Sequence, residues 1–403
     1  MRKLVTLGIT VVIITAMLAG GWACAPKPAK TLDIGVATAL TGPAAYIGSQ
    51  LMNGILMAID DQNEQGGVTI AGQKYTLNPI IRDTKFDVAV GKTIAEELVY
   101  DKGVKVIAGP FLDDAVGAQS VTEPNKVISF FVESTVPGMC TPDKPYSFFF
   151  TGPIPQRILS TYGYLQEYHP EAKTVLGLSP DVVDLPVWAG VGEEFAPQFG
   201  LTWLGYEKYP MNITDFMPVI SRALKQNPDI INTLSAGVTG SLGALAVKQL
   251  REAGFKGIIM QPTAVDADML VNVAGKEAIE GLIDIGINPD SAVVDPAVGD
   301  FLHRFEERFE MTPVDIPAEA YSPVKAFFEF LDGQDTMDTT LWMEGFAKYH
   351  WTGLWGESYW VGEPLFGINR VALRCYYISE WHNGKRETSW KAPVPLKFLT
   401  GAE

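Results

Sequence analysis

The stretch TLDIGVATALTGPAAYIGSQLMNGILMAIDDQNEQGG, residues 31–67, limits the possible folds most. It opens with a short buried-strand pattern (Leu32, Ile34, Val36) and breaks at Thr41-Gly42-Pro43. Leu51, Ile55, Ala58 and Ile59 then recur at helical spacing until Gly66-Gly67 ends the helix. A strand that feeds a loop and a helix start leaves free backbone N–H groups at the carboxyl edge of a sheet. Open α/β folds hold their ligands there.

The same alternation continues. Strands are expected at 75–82, 104–108, 128–131 and 147–150, with helices at 88–100 and 115–125. Each Val/Ile-rich run is short and bounded by Gly, Pro or Asp, as parallel strands covered on both faces should be. Thr151-Gly152-Pro153-Ile154-Pro155 interrupts the rhythm and reads as a crossover. A second series follows: helix 156–168, strand 174–178, helix 187–199, strand 202–206, helix 216–226, strand 230–234, helix 240–253 and strand 257–260. A return crossover is expected at 283–288, helices 297–309 and 318–331 then rejoin the first lobe, and a strand over 373–381 turns at Asn383-Gly384. The fold class is therefore α/β: two doubly wound, Rossmann-like lobes joined by a multi-strand hinge. The expected division is 31–152 plus 284–371 for lobe 1 and 153–283 plus 372–403 for lobe 2.

Several short motifs are also specific. Ile34-Gly35-Val36, Leu40-Thr41-Gly42-Pro43, Tyr46, Gly48, Asn53-Gly54 and the run from Asn63 to Gly67 resemble the leucine/isoleucine/valine-type (type I) periplasmic binding proteins. Those are the solute-capturing components of ATP-driven importers. The resemblance covers nearly all of the chain after residue 30. It implies a Venus-flytrap that closes about its hinge on a small-molecule solute and docks on ABC permease subunits.

Residues 1–23 read as a signal peptide, with Arg2 and Lys3 ahead of an apolar run from Leu4 to Leu18 that is short for a membrane span. Cys24 after Ala23 resembles a lipoprotein site, and 24–30 an anchor and linker; ordinary signal-peptidase cleavage, with Cys24 incidental, is the alternative. The expected location is the periplasm or the outer face of the cytoplasmic membrane, with a lipid anchor at Cys24. Losing Arg2 and Lys3 takes the 31 basic residues to 29 against 47 acidic ones, a charge of −18. Such a surface argues against nucleic acid or anionic lipid as a partner. Cys140 and Cys375 read as isolated thiols. A monomer is expected, with no cofactor and no metal.

The ligand is expected between the lobes, at strand ends and helix starts. Lobe 1 offers Tyr46, the loop Gly109–Asp114 with Phe111 and Asp113, and the loop with Glu133, Ser134 and Thr135. In the family these last two loops hold a ligand carboxylate through hydroxyl and backbone donors. Asp113 stands where the family usually has a serine, so a carboxylate replaces a donor; capping of the following helix is its structural alternative. Lobe 2 offers Asp184 with Trp188, Ala236 in Ser235-Ala236-Gly237, and Thr263. The family's acidic partner for a ligand ammonium should fall near Thr263, which carries no charge; Asp184, Asp266 and Glu133 are the candidate replacements. Tyr321 resembles the family's pocket-facing tyrosine, with a core helix position as its alternative.

The glycines from Gly237 to Gly243 lack both the Walker ending and the G-x-G-x-x-G spacing, so close packing of strand and helix explains them. Trp342, Trp351, Trp355 and Trp360 read mainly as packing near the lobe junction, with a sugar- or aromatic-binding platform as the alternative. The four histidines are scattered and no G-x-S-x-G or H-E-x-x-H occurs, so nothing calls for catalysis. The resemblance implies an importer's binding protein for a small amino acid, an amide or an aromatic or short-chain carboxylate. A sensory module signalling to a membrane receptor and an exported enzyme are the alternatives.

Overall fold

The structure is a computed structural model that describes residues 29–263, 265 and 267–401. The signal peptide, Cys24 and Asp266 lie outside the described residues. In lobe 1 the chain runs β1 (Lys30–Thr38), α1 (Ala45–Glu64), β2 (Val68–Ile70), β3 (Gln73–Asp83), α2 (Val88–Glu96), β4 (Val106–Ala108), α3 (Asp113–Thr122), β5 (Ile128–Phe131) and β6 (Ser147–Phe149). It crosses into lobe 2 as α4 (Ile154–Tyr168), β7 (Thr174–Pro180), α5 (Leu185–Phe195), β8 (Thr202–Tyr209) and α6 (Met217–Leu224). There β9 (Ile230–Asn232), α7 (Ser241–Glu252), β10 (Ile258–Gln261) and β11 (Ile283–Asp284) follow. Helices α8 (Pro296–Phe309), α9 (Ile316–Leu331) and α10 (Thr339–Phe346) come next, then β12 (Trp351–Gly353), β13 (Gly356–Ser358), β14 (Trp360–Val361) and β15 (Val371–Ala372). Then come β16 (Tyr377–His382) and β17 (Lys385–Lys391), and a short helix over Leu396–Thr400 follows them.

Eight strands form the first sheet in the order β14-β15-β6-β5-β4-β1-β3-β2, and seven the second, β17-β16-β11-β10-β9-β7-β8. Their centres are parallel: β1 pairs with β3 and β4, and β9 with β7 and β10. Antiparallel pairs close the edges, β2 with β3 and β16 with β17. The β16–β17 turn uses Asn383 and Gly384, both at positive φ, as a two-residue turn matched to strand twist requires.

Burial explains the unbroken apolar strands. Val175 and Ile230 join a core that runs from lobe 1 through the hinge, while their neighbours Leu176 and Ile231 pack on the opposite face against α6 and α7. Helix α9 returns to lobe 1 and lies hard against α1. A Cβ on Gly54 would stand 2.4 Å from the Pro317 carbonyl oxygen, so only glycine admits this approach.

Two expected elements divide. The helix over 88–100 gives way after Glu96 to a wider turn, Glu97–Asp101, in which the Lys102 N–H reaches back to the Glu97 carbonyl at 3.1 Å. The strand over 373–381 belongs to two sheets, because Val371 pairs with Phe149 in lobe 1 whereas Ile283 pairs with Glu380 in lobe 2. Residues 373–376 are thus a third crossing, beside those after β6 and after β11. The four tryptophans gather at this end. Trp351, Trp360 and Phe346 pack at 5.2–6.2 Å between centroids, and Trp355 covers the Arg374 guanidinium at 4.6 Å. Cys140 and Cys375 are buried and unpaired.

Candidate functional site

Both lobes contribute to one cavity of ≈ 50 Å³. On the scale where one water takes about 10–15 Å³, it admits only a small group. Lobe 1 gives it a mostly apolar wall: Ile47 from α1, Phe111 and Leu112 after β4, Val132 after β5, and Ile316 from α9, with Glu133 and Asp315 at the margins. Lobe 2 gives the polar wall: Arg157 from α4, Asp184 before α5, and Ser235, Gly237 and Thr263 after β9 and β10; Ile285, in the crossing after β11, completes the lining.

Burial makes the charges matter. The Arg157 side chain is 8% exposed and the Glu133 side chain 3%, and Nη2 of Arg157 lies 3.5 Å from Oε2 of Glu133. The Arg157 Nε donates to the Tyr376 hydroxyl at 3.0 Å, and its guanidinium carbon lies 5.9 Å from the Trp188 ring centre. Although burial acts to lower it, Tyr376 and Glu133 together hold the Arg157 pKa above its ordinary value.

Asp184 is the counterpart. One carboxylate oxygen accepts from the Trp188 indole N–H at 2.9 Å; the other, Oδ1, is buried without a hydrogen-bond partner. Burial first, and the Glu133 charge second, push this carboxyl up to about 7, with Trp188 and Arg157 pulling the other way. The Ser235 hydroxyl is likewise buried without a partner. Unmade hydrogen bonds of this kind are costly, so their presence at a cavity marks groups able to receive a ligand. At the lobe 1 margin Asp315 lies 3.6 Å from Nη2 of Arg374, whose Nη1 is paired with Glu319.

The expected site residues separate under this geometry. Phe111, Glu133, Asp184 and Thr263 line the cavity. Thr263 is committed to its own turn: its hydroxyl accepts from the Gly237 N–H at 2.9 Å and donates to the Leu234 carbonyl at 3.1 Å. Ala236 is buried beneath that turn. Thr135 donates to Oε1 of Glu133 through both N–H (3.1 Å) and hydroxyl (2.5 Å), so it orients the carboxylate instead of facing the cavity. Ser134 is buried beside it, its hydroxyl without a partner.

Tyr46 lies outside the cavity wall, which takes its neighbour Ile47 instead; the Tyr46 hydroxyl donates to the Thr312 carbonyl at 3.1 Å. Asp113 sits half-buried in the first turn of α3, its carboxyl pushed up by burial and by the Asp87 charge. Tyr321 faces away, packing on Phe301 at 4.7 Å and donating to Asp61 at 2.7 Å. Sequence spacing passed over Arg157 and Asp315. The available signal for Arg157 was a lone cation in the otherwise uncharged first twelve residues of α4.

Among the described residues no group of His, Cys, Asp and Glu is placed to hold a metal ion, and no helix is long and apolar enough to cross a membrane. Residues 31–386 match the family model described as periplasmic binding protein. The Leu/Ile/Val-binding protein homolog 1 of Brucella melitensis is 25% identical over 302 residues, 72% of this chain and 76% of that protein. The branched-chain amino acid transporter substrate-binding protein LivJ of Streptococcus pneumoniae, solved with isoleucine, superposes with a TM-score of 0.75 at 18% identity, covering 90% of this chain and 99% of that one. The solute-binding protein of an ABC transporter from Rhodopseudomonas palustris BisB5, solved with 3,4-dihydroxybenzoic acid, gives 0.72 at 19% identity, covering 91% and 99%.

Proposed function

The chain belongs to the periplasmic binding protein family, as a type I substrate-binding protein of the branched-chain amino acid ABC transporter kind, and on that premise we propose that it captures a small aliphatic amino acid between its lobes and delivers it to a permease. The observation that carries this reading is the convergence of a buried guanidinium, Arg157, and a buried carboxylate with a free oxygen, Asp184, on one cavity with an apolar opposite wall. A zwitterion matches it end for end. Its carboxylate meets Arg157, its ammonium meets Asp184 with Glu133 behind, and its side chain rests on Ile47, Phe111 and Ile316. Asp184 then takes the place of the acidic residue that Thr263 lacks. The small volume favours short side chains over long ones.

Isothermal titration of the soluble form from residue 27 with L-alanine, L-valine and L-leucine tests this. Binding that weakens sharply with the matching amines and with the matching carboxylic acids supports it; either half binding as tightly as the whole amino acid sinks it. The second reading is an aromatic carboxylate. The lone cavity cation and Phe111 support it, as does the dihydroxybenzoate held by the Rhodopseudomonas protein. In that case Asp184 must be protonated, and affinity for benzoate should fall as pH rises through about 7.

The lobe division given by the sequence is the one proposed to move, with the three crossings as hinge. The family is periplasmic. We place this chain at the outer face of the membrane as a monomer lipidated at Cys24. A Cys24→Ala variant released into the soluble fraction, with the parent in the detergent phase, is the expected result.

A further inference from the structure

Tyr376 is fully buried and stands where the cavity meets the hinge. Its hydroxyl accepts from the Arg157 Nε at 3.0 Å and donates to the carbonyl of Gly152, in the first crossing, at 3.1 Å. Its ring lies under the Arg374 guanidinium at 4.2 Å, and the Arg374 carbonyl accepts from the Gln156 side chain at 2.7 Å. One phenol thus touches a cavity cation, the first crossing and the third. A guanidinium held through Nε by a fixed acceptor has its planar fork aimed, because Nε lies in the same plane as the two terminal nitrogens.

We propose that Tyr376 is the positioning residue of the site: it fixes the plane of Arg157 so that the terminal nitrogens face the cavity, and it ties that orientation to two of the interlobe crossings. The proposal rests on Arg157 being the group that receives the ligand carboxylate. Tyr376 touches no ligand itself. It acts through Arg157, and opening the lobes at Gly152 would release both together.

The test uses the mature chain and its Tyr376→Phe variant, which keeps the ring and loses the hydroxyl. A second variant, Gly152→Ala, crowds the same bond from the other side, since a Cβ there would stand 2.8 Å from the Tyr376 oxygen as well as 2.5 Å from Oε1 of Gln156. Arginine Nε–H resonances are recorded by two-dimensional NMR, with Arg157→Lys to identify the Arg157 signal. In both variants that signal should lose at least tenfold in exchange protection while the thermal midpoint moves by only a few degrees.

Titrations with L-valine and with isobutylamine give the second reading. Tyr376→Phe should lower the preference for the amino acid over the amine at least tenfold, whereas general loosening would weaken both alike. An unchanged Arg157 signal, or an unchanged preference where the parent shows one, overturns the positioning role. An Arg157→Gln variant that still prefers L-valine overturns the carboxylate reading beneath it. If the parent binds neither probe, the NMR result alone decides the positioning role, and the choice of ligand class fails separately.

Discussion

Asp114 and Asp184 are buried on opposite sides of the cleft, and the two are used differently. Asp114, on the lobe 1 side, accepts from the Phe111 N–H at 2.7 Å and from the Thr84 hydroxyl, so both of its oxygens are engaged. It holds the turn in which Leu112 adopts a positive φ of 52° and in which Phe111 meets the cavity. Asp184, on the lobe 2 side, has one engaged oxygen and one without a partner. Burial pushes both carboxyls up to about 7, so the shift alone does not separate structure from function. The free oxygen separates them.

The largest effect should come from the cavity cation. Arg157→Gln removes the charge that faces Glu133 and the cavity. A loss of about 3–5 kcal/mol in folding stability is expected from leaving a buried carboxylate unpaired, and carboxylate binding should disappear. Chemical denaturation and titration calorimetry measure the two losses. Retained binding would move the anion site elsewhere.

Next is the pair of aspartates themselves. Asp114→Asn keeps an acceptor for Phe111 but puts an amide N–H toward Thr84, so a loss of about 1–3 kcal/mol is expected at neutral pH. Asp184→Asn should leave stability level or raised above pH 7 while weakening ammonium-bearing ligands. The sign follows from linkage. A carboxyl whose pKa rises from 3.8 to about 7 on folding holds its proton more tightly in the native state, so stability falls as pH climbs between those values and is flat above. Thermal melts from pH 4 to 8 should show that slope reduced in either variant. Equal stability losses at neutral pH, or equal losses of ligand affinity, in the two variants would erase the difference between the two aspartates.

A smaller effect belongs to Thr135→Val, which removes the hydroxyl that orients Glu133. About 1 kcal/mol of stability is expected to go, together with a modest drop in affinity, by the same calorimetry. The smallest is Tyr321→Phe. It loses a half-exposed bond to Asp61 on the outer helices, so ligand affinity should stay within twofold; a large change would bring that tyrosine back to the cleft.

Strand and helix order was legible because apolar runs between Gly, Pro and Asp have few other uses. The loops that follow β4, β5, β7 and β10 were legible for the same reason, since their place in the alternation puts them at one edge. Arg157 was not, because its partner Tyr376 lies 219 residues away and only the crossing of 373–376 brings them together. Tyr321 shows the opposite limit. Helical spacing fixes that it has a buried face, but not whether α1 or the cavity covers it, and here Asp61 on α1 takes its hydroxyl. The break between β15 and β16 was hidden because one extended segment serves two sheets with the same residue types.

That divided segment bears on how the protein is made. The first sheet needs β15 at Val371–Ala372, and the second needs β17 at Lys385–Lys391, so neither lobe is complete until almost the whole chain has emerged. Pairings this distant in sequence close late and slowly. A chain interrupted at residue 350 would contain most of two lobes and finish neither, whereas a cut in one crossing of the finished molecule leaves two others joining the halves.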